Sequence, residues 1–195
     1  YLGTQSDVGC FSLSVTKTIA TGQGGFAVTN DTELAKRMRA IRTHGVENVK
    51  EPENWMMPGF NFRFTDLQAS IGIEQLKRLP ERVEHLKNIY IRYAEDLVDT
   101  PFKLIPVNLK AGETPVYNEF LVENRSEWII NLEHRGIEIS PFYPDIEKNS
   151  YFMKQKSNLP NSGIYGLEGI VLPSGPNQNL SDIRTVIQTI KSIIK

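Results

Sequence analysis

The chain has 195 residues, 39% hydrophobic and 23% charged, which suits one large globular domain or two smaller ones. Its 22 Lys and Arg against 23 Asp and Glu give a net charge of −1, which argues against nucleic acid or an anionic membrane as the main partner. A single cysteine, Cys10, excludes an internal disulfide framework and points to a reducing, cytoplasmic setting, with no secretory signal and no apolar run near the ~20 residues that span a bilayer.

In chain order, Val8 to Ser14 is a short β-prone run that reads as a buried strand, with Cys10 as a core residue. Thr21 to Gly25 is a glycine turn, and Phe26 to Thr29 reads as a second strand beside the first. Asn30 and Glu33 have the spacing of a capping box. Leu34, Met38 and Ile41 then make Asp31 to Arg42 an amphipathic helix, ended by His44-Gly45. Residues 46–59, with Pro52 and Pro58, are a loop. Thr65 to Gln68 is a second capping box, opening a helix to about Arg78. After Pro80 a long helix is expected over 81–98, from Val83, Leu86, Tyr90, Tyr93 and Leu97. Thr114 to Val122 and Ile137 to Phe142 read as strands, Ser126 to Arg135 and Asp182 to Ile194 as helices. Residues 101–195 thus form a small α+β unit. Residues 1–80 hold too few strands to close a core alone, and the chain reads as a piece of a longer one.

Lys17 is the first candidate for chemistry. It lies between the first strand and the glycine turn. A lysine whose surroundings disfavour its ammonium form offers a free amine that can attack a carbonyl carbon. An exposed lysine at a strand end is the plainer alternative. Ser12 is a hydroxyl donor or a strand serine bonded locally. Asn61 is a polar contact or a turn residue. Arg63 suits phosphate or a plain salt bridge, and His44 reads as a helix-terminal residue, not a catalyst.

Four blocks carry a resemblance. Phe11-Ser-Leu-Ser-Val-Thr-Lys17 with Thr21-Gly-Gln-Gly-Gly25, Met38 to Gly45, Gly59-Phe-Asn-Phe-Arg-Phe-Thr-Asp-Leu-Gln-Ala69, and Leu172-Pro-Ser-Gly-Pro176 stand in the family order of the DegT/DnrJ/EryC1/StrS sugar aminotransferases. These are fold type I enzymes that use pyridoxal 5'-phosphate. The resemblance implies an α/β fold, with residues 1–80 as the end of the large cofactor-binding domain, 81–100 as a connecting helix and 101–195 as the small C-terminal α+β domain. It implies that Lys17 joins covalently to the cofactor's aldehyde, that Ser12 holds its phosphate, and that Asn61 reaches the phosphate of a neighbouring subunit in a homodimer. The implied reaction moves an amino group from glutamate or a similar donor to a nucleotide-linked keto-sugar. A branch with His at the lysine position dehydrates sugars, and Lys17 argues against it. The family's upstream cofactor contacts have no counterpart here, so the resemblance covers the second half of a member about twice this length, and the chain alone is expected to be inactive. Ser14, and Phe142 to Asp145 with no histidine after them, depart from residues that face substrate in relatives. The other reading is a non-catalytic regulatory or assembly module that keeps the fold without turnover. No metal site is expected.

Overall fold

A computed structural model describes residues 1–51, 53–151 and 159–194, and divides the chain between Tyr1–Leu79 and Pro80–Lys195. In the first unit, Gly9–Ser12 (β1) pairs antiparallel with Gly25–Val28 (β2), with Gly9 opposite Val28 and Ser12 opposite Gly25. Phe11 faces Phe26 across the ladder, their rings stacked at 4.9 Å. The first strand is shorter than the expected Val8 to Ser14, and the second lies one residue earlier than the expected Phe26 to Thr29. The connection between them, residues 13–24, is longer than a hairpin turn. It is held by the Leu13 N–H donating to Gly24 O at 2.9 Å and the Thr21 N–H donating to Leu13 O at 2.9 Å.

Thr32–Arg42 forms α1. Its N-cap is Asp31, whose Oδ1 accepts from the Leu34 N–H at 3.0 Å, so the expected Asn30–Glu33 box does not form. An aspartate one residue nearer the helix serves the same three-residue spacing and wins. Asp66–Lys77 forms α2, where the Thr65–Gln68 capping box is present as expected. None of the α2 residues is buried, and Leu67, Ile71, Ile73 and Leu76 are exposed. Pro52, one of the two prolines of the 46–59 loop, lies outside the described residues.

In the second unit a long helix, Leu79–Asp96 (α3), begins with Pro80 in its first turn, where a missing N–H costs nothing. Four strands follow: Lys103–Leu104 (β3), Asn118–Leu121 (β4), Ser140–Pro141 (β5) and Gly169–Leu172 (β6). They form one antiparallel sheet in the order β3-β4-β6-β5, with Asn118 opposite Leu172 and Leu121 opposite Gly169. Three helices, Arg125–Glu133 (α4), Pro160–Glu168 (α5) and Leu180–Ile194 (α6), complete it. The expected strand from Thr114 starts only at Asn118, because Pro115 lacks the N–H a ladder needs.

Alternation along β4 buries Asn118 and Phe120 on the face that carries the core. Phe120 meets Tyr93 of α3 edge-on at 5.8 Å. Ile89, Tyr93 and Leu97 from α3 and Ile183, Val186, Ile187 and Ile190 from α6 complete the cluster with Ile170 and Leu172 of β6. The Tyr93 hydroxyl, buried with them, donates to Pro173 O at 2.9 Å, and burial raises its pKa above the ordinary phenol value. By contrast, Ala40 and Val46 are the buried hydrophobic residues found among the described residues of the first unit. Among the described residues, no helix is long and apolar enough to cross a membrane.

Candidate active site

The connection between β1 and β2 carries Lys17. Its main-chain N–H donates to Ser14 O at 3.0 Å, closing a turn over residues 14–17. The side chain is exposed and pairs with no carboxylate among the described residues. Ser12, at the end of β1, donates its hydroxyl to Ser14 Oγ at 3.2 Å and accepts the Ser14 N–H at 3.2 Å. The local bonding foreseen as the alternative for Ser12 is therefore present, through two long contacts on an exposed side chain.

Asn61 is set in place by α1. The helix ends with orphan carbonyls, as every helix does. Two of them are taken by the segment ahead of α2: the Phe60 N–H donates to Ile41 O at 2.7 Å and the Phe62 N–H to Arg42 O at 2.9 Å. The His44 N–H returns a bond to Phe60 O at 2.8 Å, and Thr43 bridges Asn61. His44 lies beyond the helix cap at φ 57° and is exposed, consistent with a terminal rather than a chemical role. The register rests on two glycines. A Cβ on Gly59 would stand 2.0 Å from the Gly45 N, and Gly45 itself holds φ +79° with Met57 O 1.7 Å from where its Cβ would be.

Arg63 Nε donates to Asn61 Oδ1 at 3.0 Å and makes no ion pair among the described residues. With its carbonyl turned to Arg63, the Asn61 amide keeps its NH2 group for another acceptor. The glycine turn is tied to the same segment. Gln68 Nε2 donates to Gln23 O at 2.9 Å, Thr21 Oγ1 donates to that carbonyl at 2.8 Å, and the Phe64 ring leaves no room for a Cβ on Gly24, which holds φ +124°. Lys17's connection, the glycine turn and the Asn61 segment are thus one hydrogen-bonded assembly. Among the described residues no hydrogen bond joins Lys17, Ser12 and Asn61 to one another.

Beside this assembly a groove of about 980 Å3 runs between β2 and α1, lined by Arg39, Arg42 and Arg63 with Phe26, Phe62 and Phe64. Lys17, Ser12 and Asn61 do not line it. Arg39 and Arg42 received no role from the sequence. The signal was present, since a three-residue spacing on a helix puts both guanidinium groups on one face. Cys10 is a correction: it is exposed on β1, not in a core, because a ribbon of two strands covers too little to bury it.

Taken singly, an exposed amine can attack an aldehyde, and a serine hydroxyl or an asparagine NH2 beside a guanidinium can donate to a phosphate. Among the described residues, no group of three or more His, Cys, Asp or Glu is placed to hold a metal ion. Residues 1–191 match the sequence profile of the DegT/DnrJ/EryC1/StrS aminotransferase family. The chain belongs to that family. Members of the DegT/DnrJ/EryC1/StrS family work with pyridoxal phosphate. The chain is 27% identical over 216 residues to the spore coat polysaccharide biosynthesis protein SpsC of Bacillus subtilis, covering 100% of the chain and 55% of SpsC. It is 28% identical to the GDP-perosamine synthase of Caulobacter vibrioides, covering 98% of the chain and 54% of that enzyme. Among solved structures, the aminotransferase TlmJ of Streptoalloteichus hindustanus superposes with a TM-score of 0.87 at 28% identity, over 97% of the chain and 53% of TlmJ. The chain spans about half the length of the relatives it matches.

Proposed function

We propose that the protein carrying this chain is a pyridoxal-phosphate-dependent aminotransferase that moves an amino group from glutamate or a similar donor to a nucleotide-linked keto-sugar. The observation that carries the reading is the exposed, unpaired Lys17 on a connection braced by the Asn61 segment, within a family match over residues 1–191. Relatives named for GDP-perosamine and for UDP- and dTDP-linked amino-sugars support the substrate class. Ser174 caps no ligand in this reading: its hydroxyl donates to Leu172 O at 2.8 Å and accepts the Asn118 N–H at 3.2 Å, so the Leu172–Pro176 block serves the fold.

Lys17 would hold the cofactor at its aldehyde carbon, Ser12 would turn its hydroxyl from Ser14 to the phosphate, and Asn61 of the partner subunit would offer its free NH2 to that phosphate across a two-fold interface. When bound, pyridoxal phosphate supplies a carbonyl that exchanges amines and a ring that withdraws electrons. Displaced by the donor, the Lys17 amine is the base that takes the proton from the donor's Cα. In the second half-reaction it delivers a proton to the sugar carbon that gains the amine. Proton transfer of this kind contributes ~10²–10⁴-fold. By itself, the 195-residue chain is expected to hold the cofactor only weakly, since amine, hydroxyl and amide leave the pyridine nitrogen without a counter-charge.

The test is Lys17→Ala in the homodimeric holoenzyme. Borohydride reduction followed by mass spectrometry should find no cofactor attached to the variant, and transamination with glutamate and a keto-sugar nucleotide should fall at least ~10²-fold. An adduct of unchanged yield would remove Lys17 from its assigned place. A full-length protein that binds no cofactor and turns nothing over, yet folds as a dimer, would favour the assembly-module reading.

A further inference from the structure

The hydrogen bonds between Ser12 and Ser14 do not balance. Ser12 Oγ accepts the Ser14 N–H at 3.2 Å and donates its own proton to Ser14 Oγ at 3.2 Å. A hydroxyl has one proton and two lone pairs, so two hydroxyls bonded to each other keep one proton to spare, whichever of them donates. Among the described residues that proton meets no acceptor. The bond between the hydroxyls is also long, since well-matched O–H···O pairs sit at about 2.7–2.8 Å.

The backbone fixes where the two oxygens stand. The Ser14 N–H holds Ser12 Oγ in a side-chain turn, and rotating that hydroxyl about its C–O bond swings the proton without moving the oxygen. Leu13, between the serines, is held at both main-chain groups: its N–H donates to Gly24 O and its carbonyl accepts from the Thr21 N–H, each at 2.9 Å. The Ser14 carbonyl accepts the Lys17 N–H at 3.0 Å. Ser14 is half-buried and is thus bonded both to the Ser12 hydroxyl and to the main chain of Lys17.

We propose that Ser14 is a second hydroxyl donor to the phosphate of pyridoxal phosphate, beside Ser12. The inference rests on the proposed cofactor reading and adds a residue to it. A phosphate group presents three strong acceptor oxygens, so two hydroxyls 3.2 Å apart can each donate to a different one. Bonds to a charged acceptor are shorter and about twice as strong as those between neutral groups, so the phosphate displaces the long serine–serine bond. Both protons then have an acceptor, which the pair by itself cannot give them. Ser12 keeps the Ser14 N–H throughout, so its oxygen stays in place.

The experiment measures, by equilibrium dialysis of the full-length protein freed of cofactor, the affinity for pyridoxal phosphate and for pyridoxal, which lacks the phosphate. Ser14→Ala should weaken pyridoxal phosphate about tenfold, the loss of one hydrogen bond to a charged group, and leave pyridoxal unchanged. Ser14→Thr keeps the hydroxyl and should bind pyridoxal phosphate as the parent protein does. In a Ser12→Ala background, adding Ser14→Ala should weaken pyridoxal phosphate again. No further loss there would mean that Ser14 acts only through Ser12, and overturns the direct contact. Equal weakening of both ligands by Ser14→Ala, or of neither, overturns it as well. Ser12→Ala alone separates this inference from the reading beneath it. If that variant discriminates between the ligands and Ser14→Ala does not, the phosphate site stands and Ser14 is no part of it. If neither variant discriminates, the phosphate is not held on this turn, and the assignment of Ser12 falls too.

Discussion

Gly45 and Gly59 decide where Asn61 stands. Their backbones meet so closely that a Cβ on Gly59 would lie 2.0 Å from a backbone nitrogen, which cannot swing aside as a side chain would. Gly59→Ala should therefore cost about 1–3 kcal/mol, the usual range for forcing extra atoms into a filled contact, read as a lower local opening free energy by native-state amide exchange of the whole chain. The Phe60 and Phe62 amides should also exchange faster, while Gly112→Ala, at an open turn, should leave them unchanged. At this scale Lys17, Ser12 and Asn61 stood out through the resemblance of the blocks that hold them, and hydrogen bonds tie together the connection that carries Lys17, the glycine turn and the start of α2. The sequence failed for Cys10, since burial depends on what covers a strand and not on the strand's own residues. The spacing of Arg39 and Arg42 was legible, but the groove they line was not, because a groove is a property of two elements facing each other.

Among the elements, α2 depends most on its first turn. Gln68 completes the capping box and reaches Gln23 O, so it holds both the helix start and the glycine turn. Gln68→Ala should cost about 1–2 kcal/mol, read as faster native-state amide exchange in the first turns of α2, more than an ordinary cap because two contacts go at once. Helix α5 offers a pH test. Its Tyr165 hydroxyl donates to Glu119 Oε2 of β4 at 2.6 Å, and burial together with that carboxylate raises the phenol's pKa. A raised folded pKa means that the folded state keeps a proton the unfolded state releases. The stability is fully present below the ordinary tyrosine value of ~10 and is lost as pH rises beyond it. Tyr165→Phe should flatten the fall in thermal midpoint between about pH 10 and 11, and leave the neutral side of the profile with the same slope. Helices with a clear apolar stripe or cap were readable in the sequence within two or three residues. Helix α5 was not, because Gly163 and Gly166 dilute its propensity; a Cβ at Gly166 would lie 2.8 Å from Asp145. Strand β6 was overlooked for another reason: Gly-Ile-Val-Leu is too short for periodicity to speak, and only its neighbours on both sides make it central.

For the whole molecule, the uneven division of the core matters most. The buried hydrophobic cluster belongs wholly to Pro80–Lys195, whereas the first unit buries Ala40 and Val46 among its described residues. Residues 80–195 expressed alone should give a cooperative thermal transition and disperse amide signals, while residues 1–79 alone should lack a sharp transition. A non-cooperative melt for 80–195 would contradict this reading. The split between a helix-and-strand beginning and an α+β end was visible in the sequence as a change of pattern near residue 100.

The touching backbones of Gly45 and Gly59 also have an evolutionary side. The chain leaves at one glycine and returns at the other, with the Met56 N–H donating to Gly45 O at 2.8 Å, so the stretch between them is an Ω-loop whose mouth is sewn shut. Whatever lies inside the stitch can lengthen, shorten or change composition at small entropic cost without moving Asn61. Family members are therefore expected to diverge in length here more than in the helices on either side, so this loop is where a lineage can add new contacts while Asn61 stays in register.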